Sequence, residues 1–248
     1  MRAMIITFLL GISFILSTST MGIRSCDRLY YKQEKPVTHE HIQYGVYYCF
    51  KHYEAYFDPI ANINIYSAEL LTRPLLEQGN TNMDDEIYKF DQDDDIIKLY
   101  NHFPYEKNLM TPYLDMPDHQ SRQETYTSLN IVPSFNNLYN NSWNIIENHI
   151  RKLSYQYNRV YVVSGAIYKN STRTFSLHTK VIVPTAIYKS VYIPAIDAGG
   201  VYVCTNNIDY LCKIISLKTF SEKSRIDPFP ALSKEVAEKV DVQLLLYK

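Results

Sequence analysis

The sequence has no excess of charge of either sign. Its 25 Lys and Arg stand against 26 Asp and Glu, for a formal net charge of -1 over 248 residues. The global basic field that marks many nucleic-acid binders is therefore missing, although a local basic patch is compatible with a neutral total. There is no repeat at a fixed period, which argues against a solenoid or a propeller. The four cysteines do not have the spacing of a zinc site. The acidic run Glu77–Asp95 lacks the ligand spacing and central glycine of a calcium loop, and reads as a solvated acidic loop. Helical and strand patterns do not alternate as βαβ units, which leaves an α+β class. The longest apolar run, Met4 to Leu16, is too short to span a bilayer.

What is present suits a globular chain. Hydrophobic residues make up 46% and aromatic residues 14%. That supports one sizeable core or two small ones. Arg2, the apolar run and the following "STSTMG" form a basic region, a hydrophobic region and a small-residue exit. Residues 1–22 are accordingly expected to be a signal peptide, with cleavage after Ser19 or Gly22. Residues 23–248 form a single domain in this reading, secreted and without a membrane anchor after signal removal. An even cysteine count in a secreted chain favours disulfides. Three pairings are open. Proximity in sequence favours Cys26–Cys49 and Cys204–Cys212, the second closing a hairpin with Asn206-Asn207 in its turn. Asn140 and Asn170 head glycosylation sequons.

Periodicity sketches the elements. Residues 52–57 and 62–70 read as two strands joined at Asp58-Pro59. Apolar residues at 143, 146, 150, 153 and 157 mark an amphipathic helix starting at Trp143, the only tryptophan, with Glu147 and Arg151 spaced to pair on one face. "RVYVVSGAIY" and "TKVIVPTAIYKSVYI" read as strands, with Pro184 marking an edge or bulge. "GGVYVCT" is expected to follow a Gly199-Gly200 turn, and "LSKEVAEKVDVQLLLY" to form a short helix.

Asparagines crowd "TSLNIVPSFNNLYNNSWNIIE" just before that helix. An amide there either caps the helix or offers a neutral oxygen to a metal such as Mg²⁺. Asn130, Pro133, Trp143 and Glu147 resemble the "N-x-x-P … N-x-x-x-W-x-x-x-E" frame of the DNA/RNA non-specific endonucleases, the ββα-metal, endonuclease G-like family. "MTP", "ETYTSLNIVP", "VYVVSGAIY", "KVIVPTAIYKSVY" and "SRIDPFPAL" resemble further family segments in the right order. The resemblance implies an α+β fold with a mixed, mainly antiparallel sheet, helices on its faces and a ββα-metal-like motif. It also implies Mg²⁺-dependent phosphodiester hydrolysis in DNA and RNA by a histidine of "D-R-G-H".

Position by position, the chemistry is depleted. Glu106, Lys107, Asn108 and Leu109 fall on "D-R-G-H", so the general-base position holds leucine. Leu109 precedes Asn130 by 21 residues, about the family spacing. The metal-ligand position, four residues before Trp143, holds Tyr139, with Asn140 as the neighbouring substitute. Asn130 and Glu147 fall on the orienting asparagine and glutamate. Arg73 is the candidate phosphate contact, and His119 the candidate replacement base. The reading is therefore a pseudonuclease that acts by binding nucleic acid (weakened by the neutral charge), a protein or a glycan, with no cofactor. The alternative is an active Mg²⁺-dependent endonuclease with a rearranged site.

Overall fold

The computed structural model describes residues 25–38, 44–81, 88–91, 94–99, 105–168 and 182–245. The expected signal segment and the Asn170 sequon lie outside these residues. After two short 3-10 turns come β1 (Val37–Thr38), β2 (Val46–Cys49), β3 (Tyr53–Asp58) and β4 (Ile63–Thr72). The turn expected at Asp58-Pro59 joins β3 to β4. The Asp58 carboxylate accepts from the backbone N–H groups of Ile60 and Ala61, at 2.9 and 3.0 Å, and stands in for backbone turn bonds.

Next are α1 (Arg73–Thr81), α2 (Asp95–Leu99), β5 (Tyr105–Leu109), α3 (His119–Thr125) and β6 (Ile131–Phe135). A continuous helical segment follows: α4 (Asn136–Leu138), a π turn (Tyr139–Trp143) and α5 (Asn144–Tyr157). It ends at Asn158, whose left-handed φ of 68° closes the helix. Then come β7 (Arg159–Ile167), β8 (Ala186–Ile193), β9 (Ala198–Thr205), β10 (Cys212–Ile215), α6 (Leu217–Ser224), β11 (Ile226–Asp227) and α7 (Lys234–Glu238).

Seven strands form one antiparallel sheet in the order β10-β9-β8-β7-β4-β3-β2. β5 pairs with β6, and β1 with β11. The class is α+β, mainly antiparallel, with helices on both faces. β8 is buried at every position, because both faces of the sheet are covered. One face packs Leu71, Val162, Val191 and Ile193 against Trp143, Ile146, Ile150 and Leu153 of the long helical segment. The other packs Tyr66, Tyr161, Tyr188 and Val201 against Leu29 and Tyr30 and against Leu217 and Phe220 of α6. Burying each such aliphatic or aromatic side chain contributes about 1.5–3 kcal/mol.

Several expectations about the elements need correction. The helix begins at Asn136, not Trp143. Gly199 and Gly200 lie inside β9. A Cβ on Gly199 would stand 2.6 Å from Leu217 Cδ1, so glycine there admits α6 and makes no turn. The C-terminal helix is only five residues, Lys234–Glu238. The acidic run is not wholly a solvated loop: Glu77 belongs to α1, and Phe90 is half-buried.

The disulfides are Cys26–Cys49 and Cys204–Cys212. The first ties the N-terminal segment to β2. The second joins residues directly opposite on β9 and β10. Asn206 lies in the connection between β9 and β10, as expected, where it is buried and bonds to Phe135, Pro133 and Pro184.

Candidate functional site

β5 and β6 run antiparallel with Leu109 opposite Ile131, and the helical segment follows β6 without a break. Side chains alternate across the strands. Met110 and Val132 face the helix, in the core that holds Trp143. Leu109 and Ile131 sit in a different cluster, with Ile97 of α2, Val183, Phe90 and Tyr105. Leu109, expected at the general-base position, thus packs in an apolar cluster completed by Phe90 of the acidic segment.

Asn130 is fully buried. Its Oδ1 accepts from Ser67 Oγ at 2.9 Å and from the Thr111 N–H at 3.0 Å. Its Nδ2 donates to the carbonyls of Thr111 at 2.9 Å and Thr125 at 3.0 Å. The amide clamps the segment leaving β5 to the segment entering β6 and to β4. Two donors and two acceptor bonds fill its ordinary capacity.

Between α5 and the sheet lies a buried polar layer. Glu147 from α5, Glu69 from β4, Lys189 from β8 and Asp115 are all buried. Lys189 Nζ donates to the Met110 carbonyl at 2.6 Å and to Ser164 Oγ at 3.0 Å, and forms an ion pair with Glu147 Oε1 at 3.6 Å. Arg151 does not pair with Glu147 as its spacing suggested. Its Nη1 donates to Asp115 Oδ1 at 2.6 Å and its Nη2 to Asn148 Oδ1 at 2.9 Å. Burial pushes Glu147 up to about 7, with Lys189 opposing and Asp115 adding to the shift. Burial and then Asp115 push Glu69 well above the usual carboxylate range. Both Glu69 oxygens, the Thr111 hydroxyl and the Asn108 amide make no hydrogen bond in this layer of the core. Such a concentration of unmet polar groups is costly, and it is more common at functional sites than in ordinary cores.

Tyr139 opens the π turn and is half-buried beside this layer. Burial, then the Glu147 carboxylate, push its phenol up to about 12. Asn140 points to solvent, where its Nδ2 donates to Asn136 Oδ1. That exposure leaves its sequon accessible. A π turn is a one-residue widening of an α-helix, and such widenings recur at functional sites. Here it sets Tyr139 inward and Asn140 outward.

The remaining candidates fall elsewhere. Arg73 is exposed, and its guanidinium donates to the Tyr155 carbonyl, at 2.8 Å from Nε, where it caps the C-terminal end of α5. His119 begins α3 and is exposed, its ring 5.3 Å from that of Tyr88. The structure gathers Tyr139 and Glu147 at one place, with Asn130 clamping the strands beside it, and leaves Arg73, Asn140 and His119 on its outside.

The donor set does not fit Mg²⁺. A hard cation takes carboxylate, carbonyl or amide oxygens. Tyr139, at the expected ligand position, carries a protonated phenol, Asn140 faces away, and the Asn130 oxygen already accepts twice. Among the described residues one group of three His, Cys, Asp or Glu donors is close enough to share a metal: Cys26, Cys49 and Glu54. Its two sulfurs are joined in a disulfide. Leu109, at the expected base position, has no lone pair to accept a proton.

Sequence reasoning missed Glu69, Asp115 and Lys189. A signal existed for two of them. "SAELLT" and "IYKSVYI" each put one charge inside an apolar strand. A charge so placed faces a partner in the core.

A model of the DNA/RNA non-specific endonuclease family matches residues 40–229. No curated protein matches the sequence. Among solved structures, the chain resembles one in a crystal structure of the EndoG/EndoGI complex, a study of how EndoG is inhibited. The identity is 20% and the TM-score 0.63, over 77% of this chain and 88% of that one. At that identity the likeness concerns the fold.

Proposed function

Because the chain belongs to the DNA/RNA non-specific endonuclease family, we propose that it is a secreted member that has lost phosphodiester hydrolysis and acts by binding. One observation carries this reading: Leu109, at the base position, packs with Ile97, Ile131 and Val183. General-base catalysis contributes about 10²–10⁴-fold. With no metal held at Tyr139, the charge developing at phosphorus would also go unstabilised. Together the two losses leave negligible hydrolysis.

The N-terminal apolar run and the two disulfides support an oxidising, secretory destination for a single domain over residues 23–248. Among the described residues no helix is long and apolar enough to cross a membrane. Nucleic acid, a protein or a glycan would be the partner, with nucleic acid disfavoured by the neutral charge balance.

Plasmid nicking tests the loss of hydrolysis. Pure folded protein in Mg²⁺ or Mn²⁺ should convert supercoiled plasmid no faster than the same protein in EDTA. EDTA-sensitive nicking that disappears in His119→Ala would instead establish an active enzyme with a rearranged site. The double variant Leu109→His, Tyr139→Asn restores the two missing groups and should show metal-dependent nicking above the parent if these two positions account for the loss.

A further inference from the structure

On the face of the sheet opposite α5, a cleft opens between α6 and α7. Both helices are short and fixed at their starts. The Ser216 hydroxyl accepts from the Thr219 N–H at 3.2 Å, and the Ser233 hydroxyl from the Val236 N–H at 3.4 Å. Arg225, with a left-handed φ of 60°, ends α6 and turns the chain into β11. Leu217, Phe229, Pro230 and Leu232 give the cleft an apolar lining. Leu217 and Phe229 belong to the core beneath, and Leu232 packs against it. The cleft has a volume of about 430 Å³. Small-molecule sites span roughly 300–1,000 Å³.

The charges lining the cleft are Lys218, Glu222, Asp227, Lys234 and Glu238. Three carboxylates thus face two ammonium groups, which leaves one negative charge in excess. The ammonium groups converge on one carboxylate. Lys218 Nζ donates to Glu238 Oε1 at 2.8 Å and ties α6 to α7. Lys218, and then Lys234, hold Glu238 below the usual carboxylate range. Among the described residues, no cation reaches Glu222 or Asp227 at ion-pair distance. Asp227 is held in place, because its Oδ1 accepts from the Phe229 N–H at 3.1 Å. Apolar lining and two carboxylates without a cation therefore share one cleft.

We propose that this cleft binds a small amphipathic monocation, an amine carried on a flat apolar body. The body lies against Phe229 and Pro230, and the ammonium meets Glu222 and Asp227. A flat body gains most from aromatic and proline surface by stacking on it. One positive charge cancels the excess negative charge of the lining. An anion would meet that excess, and a neutral molecule would leave both carboxylates without a cation. The proposal goes beyond the loss of hydrolysis and does not depend on it, since the cleft and α5 lie on opposite faces of the sheet.

Isothermal titration of the purified full chain with tryptamine, tryptophol and indole-3-propionate tests it. The three share an indole and a short arm, which ends in an ammonium, a hydroxyl or a carboxylate. Tryptamine should bind about 10-fold or more tightly than tryptophol, the scale of a hydrogen bond to a charged group. Indole-3-propionate should bind least. Raising NaCl from about 50 to about 300 mM should weaken tryptamine binding. Glu222→Gln and Asp227→Asn should each weaken it about 3–10-fold, as for a partly exposed ion pair. Ser221→Trp, which fills the cleft from α6, should abolish it. Glu77→Gln on the distant α1 should leave it unchanged. Thermal melts would establish that each variant is folded. Amide chemical shifts should move within residues 217–238. No heat with tryptamine, equal affinity for the three probes, shifts centred elsewhere, or binding indifferent to both Glu222→Gln and Asp227→Asn would each overturn the proposal.

Discussion

Lys189 Nζ lies 3.6 Å from Glu147 Oε1, and both side chains are buried. The pair joins the middle of the sheet to the helix packed across it. Removing one partner of a buried pair strands the other charge, at a cost of about 3–5 kcal/mol. Lys189→Met should therefore lower unfolding stability by that amount in urea titrations above about pH 8, where Glu147 is ionised. A loss under about 1 kcal/mol, the scale of an exposed pair, would mean that Glu147 is neutral or finds another partner.

The same carboxyl gives a pH dependence. Burial raises Glu147 from 4.5 to about 7 in the folded state. At low pH the carboxyl is protonated whether folded or unfolded. As pH rises past 4.5 the unfolded chain releases its proton first, so stability falls until about 7 and then levels. Each tenfold change in proton affinity between the two states corresponds to about 1.4 kcal/mol. Melting temperature should drop between about pH 5 and 7.5. Glu147→Gln should flatten part of that slope, and Glu69→Gln, raised in the same direction, should flatten more. A Glu147→Gln variant whose melting temperature follows the parent's pH profile would contradict the assignment, a comparison that cancels the opposite contributions of His52 and His149, which burial lowers.

Asn130 offers a test of structural against catalytic service. Its side chain makes four hydrogen bonds to Ser67, Thr111 and Thr125. Each contributes about 1 kcal/mol net. Asn130→Ala should lose about 3–5 kcal/mol by chemical denaturation. Asn130→Asp should also destabilise, because a carboxylate cannot donate to the Thr111 and Thr125 carbonyls. Full stability in either variant would refute the clamp.

Cys26 and Cys49 close a loop of sequence separation 23. Chain-entropy reasoning assigns such a crosslink about 3 kcal/mol. Cys26→Ser with Cys49→Ser should cost about that much, and non-reducing peptide mapping should recover both crosslinked pairs. A free thiol in the purified protein would contradict the pairing.

Much of the fold could be read in advance where periodicity was strong. β3, β4, β7 and β8 fell close to their expected places, and the stripe from Trp143 to Leu153 is the buried face of the helix. The helix start was misplaced because asparagine has a low helix propensity. Tertiary bonds override it: Asn137 Nδ2 donates to the Ile208 carbonyl at 2.8 Å, and Ser142 Oγ to Tyr210 Oη at 3.1 Å. Arg73 was adjacent in sequence to an expected site, but its guanidinium turns to the end of α5, a direction that spacing does not encode.

The order of residues determined by itself that position 109 holds a leucine, without a proton acceptor, and that an aromatic residue stands four places before Trp143. Those facts are chemical and hold in any fold. The tertiary structure alone decided which charges meet. Glu69, Asp115 and Lys189 come from parts of the chain distant from Glu147 and Arg151 of α5. They share one dry layer because strand register turns Glu69 and Lys189 to the same side of the sheet, where α5 covers them.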